Sequence, residues 1–453
     1  MAGRLLDSRL AFLAAAPIAI PLGYAAAMWP LYVLAGVAVF ILLLLAVVRV
    51  EALLLVLAAV LPWEGALGYP TEAVSVVKIL GVLLFGAWLL RALVRSEPLR
   101  VSPALGWAAF FGVAIGISTL LAPDPADSVF NALRYALFVV FFFLVLQLTH
   151  TIEDVQQVVR VFVISCTVAA GWGIYGFVAL DLERAAGPIE DPNDFAYLMS
   201  CALPLAAYLF AEEKRRRLLW SFCCVLLLGA TMATLSRGAL VGLAALAPWA
   251  IITRRVPLSG VLLGVVALLS VAALAFALWA PLLQDRLEKK GNIADKNVAA
   301  REALWSGALR MAADRPITGV GPGRFGLEAS TYVRNNPIDL REPVVHNSYL
   351  HVLAETGVLG LIGFVGFLVS SWRLLSRGRK RAISIGDRDG QRLATAMQAS
   401  LVVAIVAGAF LSEQFTTPFW MIGALATVVA GVPQAIRVVV PPRAALRGAP
   451  APG

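Results

Sequence analysis

Apolar residues arrive in blocks of about 20 along most of this 453-residue chain, the length a helix needs to cross the roughly 30 Å hydrocarbon core of a bilayer. The blocks lack the short alternating rhythm of a barrel strand, so each reads as a membrane helix. The chain is 60% hydrophobic and 14% charged, with a mean hydropathy of +0.83, which excludes an ordinary soluble domain. Spans are expected near 10–29, 30–49, 51–67, 76–94, 104–121, 128–149, 155–180, 194–211, 217–234, 238–253, 257–281, 350–374, 393–411 and 415–437. The expected fold class is an all-α polytopic membrane protein with about 12–14 transmembrane helices, the lower figure if short segments merge. No signal-peptide cleavage pattern stands out, so residues 10–28 read as a retained first helix. No internal repeat is visible.

Basic residues in short loops set the orientation. With Arg4 and Arg9 inside, Arg49, the stretch 91–100, the run 214–217, Arg254 and Arg255, the run 377–381 and the tail 437–447 all fall inside. The opposite loops, 68–75, 122–127, 182–193, 235–237 and 412–415, carry few positive charges. The long loop 280–346 then lies outside, on the periplasmic side of a bacterial inner membrane. The expected organisation is N-terminal membrane helices over 1–281, a periplasmic loop over 282–346, C-terminal membrane helices over 347–438 and a Pro/Ala/Gly-rich cytoplasmic tail over 439–453. A net charge of +9 on a soluble protein would suggest nucleic acid; here it is explained by loops facing anionic membrane lipid, with no nucleic-acid partner.

Cys166, Cys201, Cys223 and Cys224 lie in apolar segments without a CxxC pair, so neither a disulfide framework nor a zinc site is indicated. The loop 280–346 holds ten Lys/Arg and eight Asp/Glu. Its segment 297–313 has helical apolar spacing and reads as an amphipathic helix on the membrane surface, with Arg301 and Trp305 on one face. The stretch 314–326 has four glycines and two prolines around Arg324. It is either a tight loop or a phosphate cradle of backbone amides; following no strand, it is not a nucleotide-binding turn.

His346 stands where the loop re-enters the membrane, as a proton acceptor for a hydroxyl or as an interfacial residue. His346 and His351 are poor partners for one metal at five residues apart, whereas His351 and Glu355 can pair at four. In the loop 187–198, Asn193 or Asp194 could cap the following helix. Arg237 sits at a turn between two spans, where it either snorkels or meets a ligand. Lys78 and Arg134 lie near the outer ends of their spans, and cations at such depth face the protein interior or a ligand. Lys78, Arg134, Arg237, Arg301, Arg324 and His346 can converge on one side of the membrane. Cations gathered there without a carboxylate cluster for Mg²⁺ suit a lipid-linked phosphate or pyrophosphate. Asn193, Asn347 and Tyr349 are expected to support them.

His346-Asn347, nine residues, Gly357, two residues and Gly360 together resemble the signature of the O-antigen ligase and polymerase superfamily. The ProAsnAsp loop at 192–194, the SerArgGly turn at 236–238, Arg301-x3-Trp305 and the run 316–323 stand in the order of that superfamily, over about 160–375. The resemblance implies a multi-span (GT-C-like) glycosyltransferase that uses undecaprenyl-pyrophosphate sugars outside the membrane, with no metal and no cofactor. It implies that His346 activates an acceptor hydroxyl and that Arg237 and Arg301 bind the donor pyrophosphate; Lys78, Arg134 and Arg324 are added from charge and position alone. The expected reaction is transfer of a lipid-linked glycan donor to a lipid A–core acceptor, completing lipopolysaccharide. The alternatives are a polymerase or a protein oligosaccharyltransferase on the same donor, and, from another class, a lipid-linked sugar transporter.

Overall fold

The computed structural model describes residues 49–66, 75–333, 343–431 and 434–436, with side chains in the segment 267–298 described only in part. The spans expected near 10–29 and 30–49, the tail 439–453 and all but Ser75 of the loop 68–75 lie outside the described residues.

The helices follow in chain order as α1 (Val50–Val60), continued by a 3-10 turn (Leu61–Trp63), α2 (Val76–Arg95), α3 (Pro103–Leu120), α4 (Pro125–Leu148), α5 (Ile152–Ala179) and α6 (Pro192–Glu212). Then come α7 (Arg217–Ala233), α8 (Arg237–Ala244), α9 (Leu246–Thr253), α10 (Leu258–Asp314), α11 (Phe325–Tyr332), α12 (Ser348–Ser384), α13 (Arg388–Ala407) and α14 (Thr417–Val429). Among the described residues, eight helices are long and apolar enough to cross a membrane, and they coincide with eight expected spans. The expected spans near 51–67, 238–253, 257–281 and 415–437 correspond to shorter apolar helices. The chain is an all-α polytopic membrane protein, with one small addition. Strand β1 (Leu99–Val101) pairs antiparallel with β2 (Gln434–Ile436), Arg100 opposite Ala435.

Helix starts follow local chemistry. Ser75, Ser102, Asp124, Thr151, Asp191, Asn347 and Asp387 each accept a backbone N–H of the first turn. Prolines at 103, 125 and 192 follow such caps, where a missing N–H costs nothing. For α6 the cap is Asp191 rather than Asn193 or Asp194: its Oδ1 accepts from Asn193 N at 2.6 Å and Asp194 N at 3.1 Å. Pro192 fixes the first helical position, and this puts the cap two residues before Asn193 and three before Asp194. Asp191→Ala is expected to lower thermal stability by about 1 kcal/mol, read as a shifted unfolding midpoint in detergent.

Small residues let the helices approach. A Cβ on Gly363 would lie 2.9 Å from the Phe111 Cα, and one on Gly366 would lie 2.3 Å from the Trp107 ring, so α12 lies close along α3. Phe415 stacks on Tyr135 at 3.5 Å between ring centroids, and Trp420 on Phe367 at 4.7 Å.

The loops sort into two ends. At one end, Arg91 pairs with Glu51, Arg160 with Glu213 and Arg392 with Glu212. At the other, Ala66 N donates to Pro188 O, Ala185 N to Ala233 O, Arg315 to Leu121 O and Glu413 N to Ser348 Oγ. The loops expected outside thus meet at one end of the bundle, together with every motif noted above.

Segment 297–313 is helical, but as the last turns of α10 rather than as a separate helix. Its apolar face, Leu304, Ala308 and Met311, packs on Val320, Phe325, Ala329 and Val345, so protein rather than lipid covers it.

Candidate functional site

Helix α12 is broken at Gly357, whose φ of 64° and ψ of −166° lie outside any helical region. The break exposes carbonyls of the turn before it and amides of the turn after it. The glycine-rich run satisfies both: Val320 N donates to Ala354 O at 2.9 Å and Gly321 N to Glu355 O at 3.0 Å, while Val358 N donates to Pro316 O at 2.8 Å. Two amides of the run therefore bind a helix, not a ligand. A Cβ on Gly319 would lie 2.4 Å from the Glu355 carbonyl carbon, and one on Gly357 would lie 2.3 Å from that of Ile317. The two glycine motifs read from the sequence are the two halves of one joint.

Glu355, 2% exposed, anchors that joint. It accepts from the Tyr135 hydroxyl at 2.7 Å and Phe325 N at 3.2 Å, and His351 Nε2 lies 3.2 Å away. The pair that the spacing of His351 and Glu355 allowed is formed. Arg324 is 8% exposed and close to Glu328 at 2.7 Å and Asp127 at 3.6 Å. Its guanidinium ties the run to α4, and nothing in its contacts resembles an open anion site.

His346 lies immediately before this element, with a φ of 52°. Residues on both sides hold it. Trp305 Nε1 donates to Val345 O at 3.0 Å, the Asn347 side chain caps α12, and Ser348 binds Gly408 O and Leu411 O, each at 2.8 Å. The Tyr349 hydroxyl donates to Ile405 O at 2.8 Å. Asn347 and Tyr349 therefore act through backbone placement. Arg301, one turn before Trp305 on α10, is close enough for its charge to act on His346, and Arg237, at the first position of α8, acts likewise on Arg301. Burial first, then Arg301, push the His346 imidazole down to about 4, with Asp191 opposing. It is neutral at physiological pH. Burial and Arg237 also lower the Arg301 guanidinium from its ordinary range. Trp305→Phe removes one hydrogen bond at the backbone before His346. It is expected to cost about 1 kcal/mol and to lower kcat more than it raises KM, measured by transfer kinetics beside thermal melts.

The sequence reading missed Arg184. Its Nε donates to Thr234 O at 2.7 Å and its Nη2 to Asn193 Oδ1 at 2.8 Å, joining the ProAsnAsp loop to the turn before Arg237. Burial lowers its pKa, Arg301 lowers it further, and Asp191 opposes both. A basic residue in a loop otherwise poor in positives was the available signal.

The structure thus brings together Arg184, Arg237, Arg301 and His346, with Asn193 beneath. Lys78 and Arg134 stand apart from them, on the wall of a neighbouring cavity of about 760 Å³. Among the described residues no group of three His, Cys, Asp or Glu is placed to hold a metal.

These features define a helical, multi-span membrane protein with an arginine–histidine site at one end of its bundle. The model of the O-antigen ligase family matches residues 222–365, from α7 through the break in α12, so this part of the chain is similar to that family. The curated proteins compared with the chain yield no match.

Proposed function

We propose that the chain is an O-antigen ligase: an inverting, metal-independent glycosyltransferase. It moves an undecaprenyl-pyrophosphate-linked glycan to a hydroxyl of a lipid A–core sugar, on the periplasmic side of the inner membrane. The observation that carries the reading is a neutral, half-buried His346 held beside Arg301 and Arg237. Pyrophosphate is already a good leaving group, so what the reaction needs is charge stabilisation as the bond breaks, and fixed arginines supply it. The neutral imidazole accepts the proton of the attacking hydroxyl. Attack at C1 from the face opposite the pyrophosphate inverts the anomeric centre, with no carboxylate pair at glycosidase spacing. Lys78 and Arg134 extend the positive surface toward the lipid side of the donor.

The pyrophosphate also acts on the base. Burial and Arg301 hold the imidazole pKa down; a bound dianion opposes the push of Arg301 and makes His346 a stronger base once the donor is in place.

Purified protein mixed with an undecaprenyl-pyrophosphate glycan and lipid A–core, with EDTA present, should convert the core to a ladder on a gel. Glycan lengthened on its own carrier, with none on the core, would instead identify a polymerase. The absence of any glycosyl transfer would favour a lipid-linked sugar transporter.

A further inference from the structure

Arg237, Arg301 and His346 do not line the 760 Å³ cavity beside them. One part of its wall is apolar, built from Leu57, Leu61, Leu137 and Phe141. Another part carries Lys78 and Arg134, and facing them Asp194, Tyr197 and Glu413. Glu413 and Tyr197 are both 0% exposed. No hydrogen bond of ordinary geometry reaches the Glu413 carboxylate oxygens or the Tyr197 hydroxyl, although Asp194 lies near the first and the Thr416 side chain near both. Buried polar groups are nearly always partnered, so such atoms on a cavity wall call for a ligand.

The chemistry of these groups limits that ligand. The carboxyls of Asp194 and Glu413 face each other within hydrogen-bonding reach. Two carboxylates so close do not both ionise, so the pair shares a proton and offers one donor with several acceptors. A phenol adds a group that both donates and accepts. An anion alone is a poor match, because the pair keeps one negative charge. Vicinal sugar hydroxyls, each donor and acceptor, match it well. Lys78 and Arg134 suit a phosphate, and the apolar wall suits a hydrocarbon chain.

We propose that this cavity binds the head of a phosphorylated, lipid-anchored glycan, with sugar hydroxyls on Asp194, Glu413 and Tyr197. The proposed function enters only in naming the source of that lipid, since the polyprenyl-linked donor and the lipid A–core acceptor share this chemistry. The turn 191–194 links both sites: the charge of Asp191 acts on His346 and on Asp194. A glycan held in the cavity therefore lies next to the base.

The test measures binding to the full chain in nanodiscs. The probes are an undecaprenyl-pyrophosphate glycan, lipid A–core, and undecaprenyl phosphate without sugar. Glu413→Gln is expected to weaken one glycan-bearing probe about tenfold, and Tyr197→Phe severalfold, as for lost hydrogen bonds; the sugar-free lipid should bind as before. The probe that weakens identifies donor or acceptor. Unchanged binding of all three, or equal loss of the sugar-free lipid, overturns the proposal. Thermal melts check folding, and if Glu413→Gln does not fold, Tyr197→Phe decides, since it removes only a hydroxyl that no hydrogen bond of ordinary geometry reaches. Wild-type transfer is measured in parallel. Transfer with no sugar-selective loss removes the site and keeps the ligase, whereas a selective loss without transfer does the reverse.

Discussion

Replacing His346 with Ala should lower the rate of glycan transfer by about 10²–10⁴-fold, the range of a general base, while leaving binding of the lipid-linked donor nearly intact. In the proposed reaction the donor is held by Arg237 on α8 and Arg301 on α10, which the substitution does not touch. The pH dependence follows from the same residue. The proposed active form is neutral, so activity should fall as pH drops through the histidine pKa, about 4 without bound donor. The acid limb of kcat/KM, which reports the free enzyme, should therefore lie near pH 4. The acid limb of kcat, which reports the loaded enzyme, should lie higher, because bound pyrophosphate offsets Arg301. Coincident limbs, or an Ala variant with wild-type turnover, would remove His346 from the base role.

The largest loss of stability is expected from Gly357→Ala. The backbone there occupies a region open essentially only to glycine, and occupying it with a side chain costs on the order of 1–3 kcal/mol. The new Cβ would also sit 2.3 Å from the Ile317 carbonyl. The run must then move away, and the hydrogen bonds of Val320, Gly321 and Val358 to its partner strand of backbone weaken at about 1 kcal/mol each. A total near 3–5 kcal/mol should appear as a large drop in melting temperature, with protease cleavage around 315–325. Gly386→Ala is the control. It also has positive φ, 73°, but a Cβ there meets nothing within 4 Å, so only the smaller conformational cost should appear.

The spans from 76 to 234 and from 348 to 407 were legible because hydropathy and capping residues both act locally, and Ser102-Pro103 or Asp124-Pro125 start a helix wherever they stand. The continuity of α10 was not legible. Whether a helix stops at residue 281 or runs on to Asp314 depends on partners such as Phe325 and Val345, far away in sequence. For the site, Arg237, Arg301 and His346 were found by motif spacing and do come together. Arg324 carries the same charge, but Asp127 and Glu328 neutralise it, and no spacing rule shows an acid nearly 200 residues upstream. Arg184 was passed over because it belongs to no motif. Its meaning comes from Thr234 and Asn193, which only the fold places beside it.

The backbone that positions His346 has a bearing on how the protein is made. Ser348 is fastened to Gly408 and Leu411, and Tyr349 to Ile405, all contributed by the stretch that follows α12 in synthesis. A nascent chain inserted only as far as Ser384 already contains every residue of the family match and the Trp305 contact to Val345, yet lacks the partners of Ser348 and Tyr349. During biosynthesis, then, the reactive end stays unassembled until α13 and the 408–416 loop are in place. On the proposed function, a half-inserted chain would meet lipid-linked sugar without acting on it.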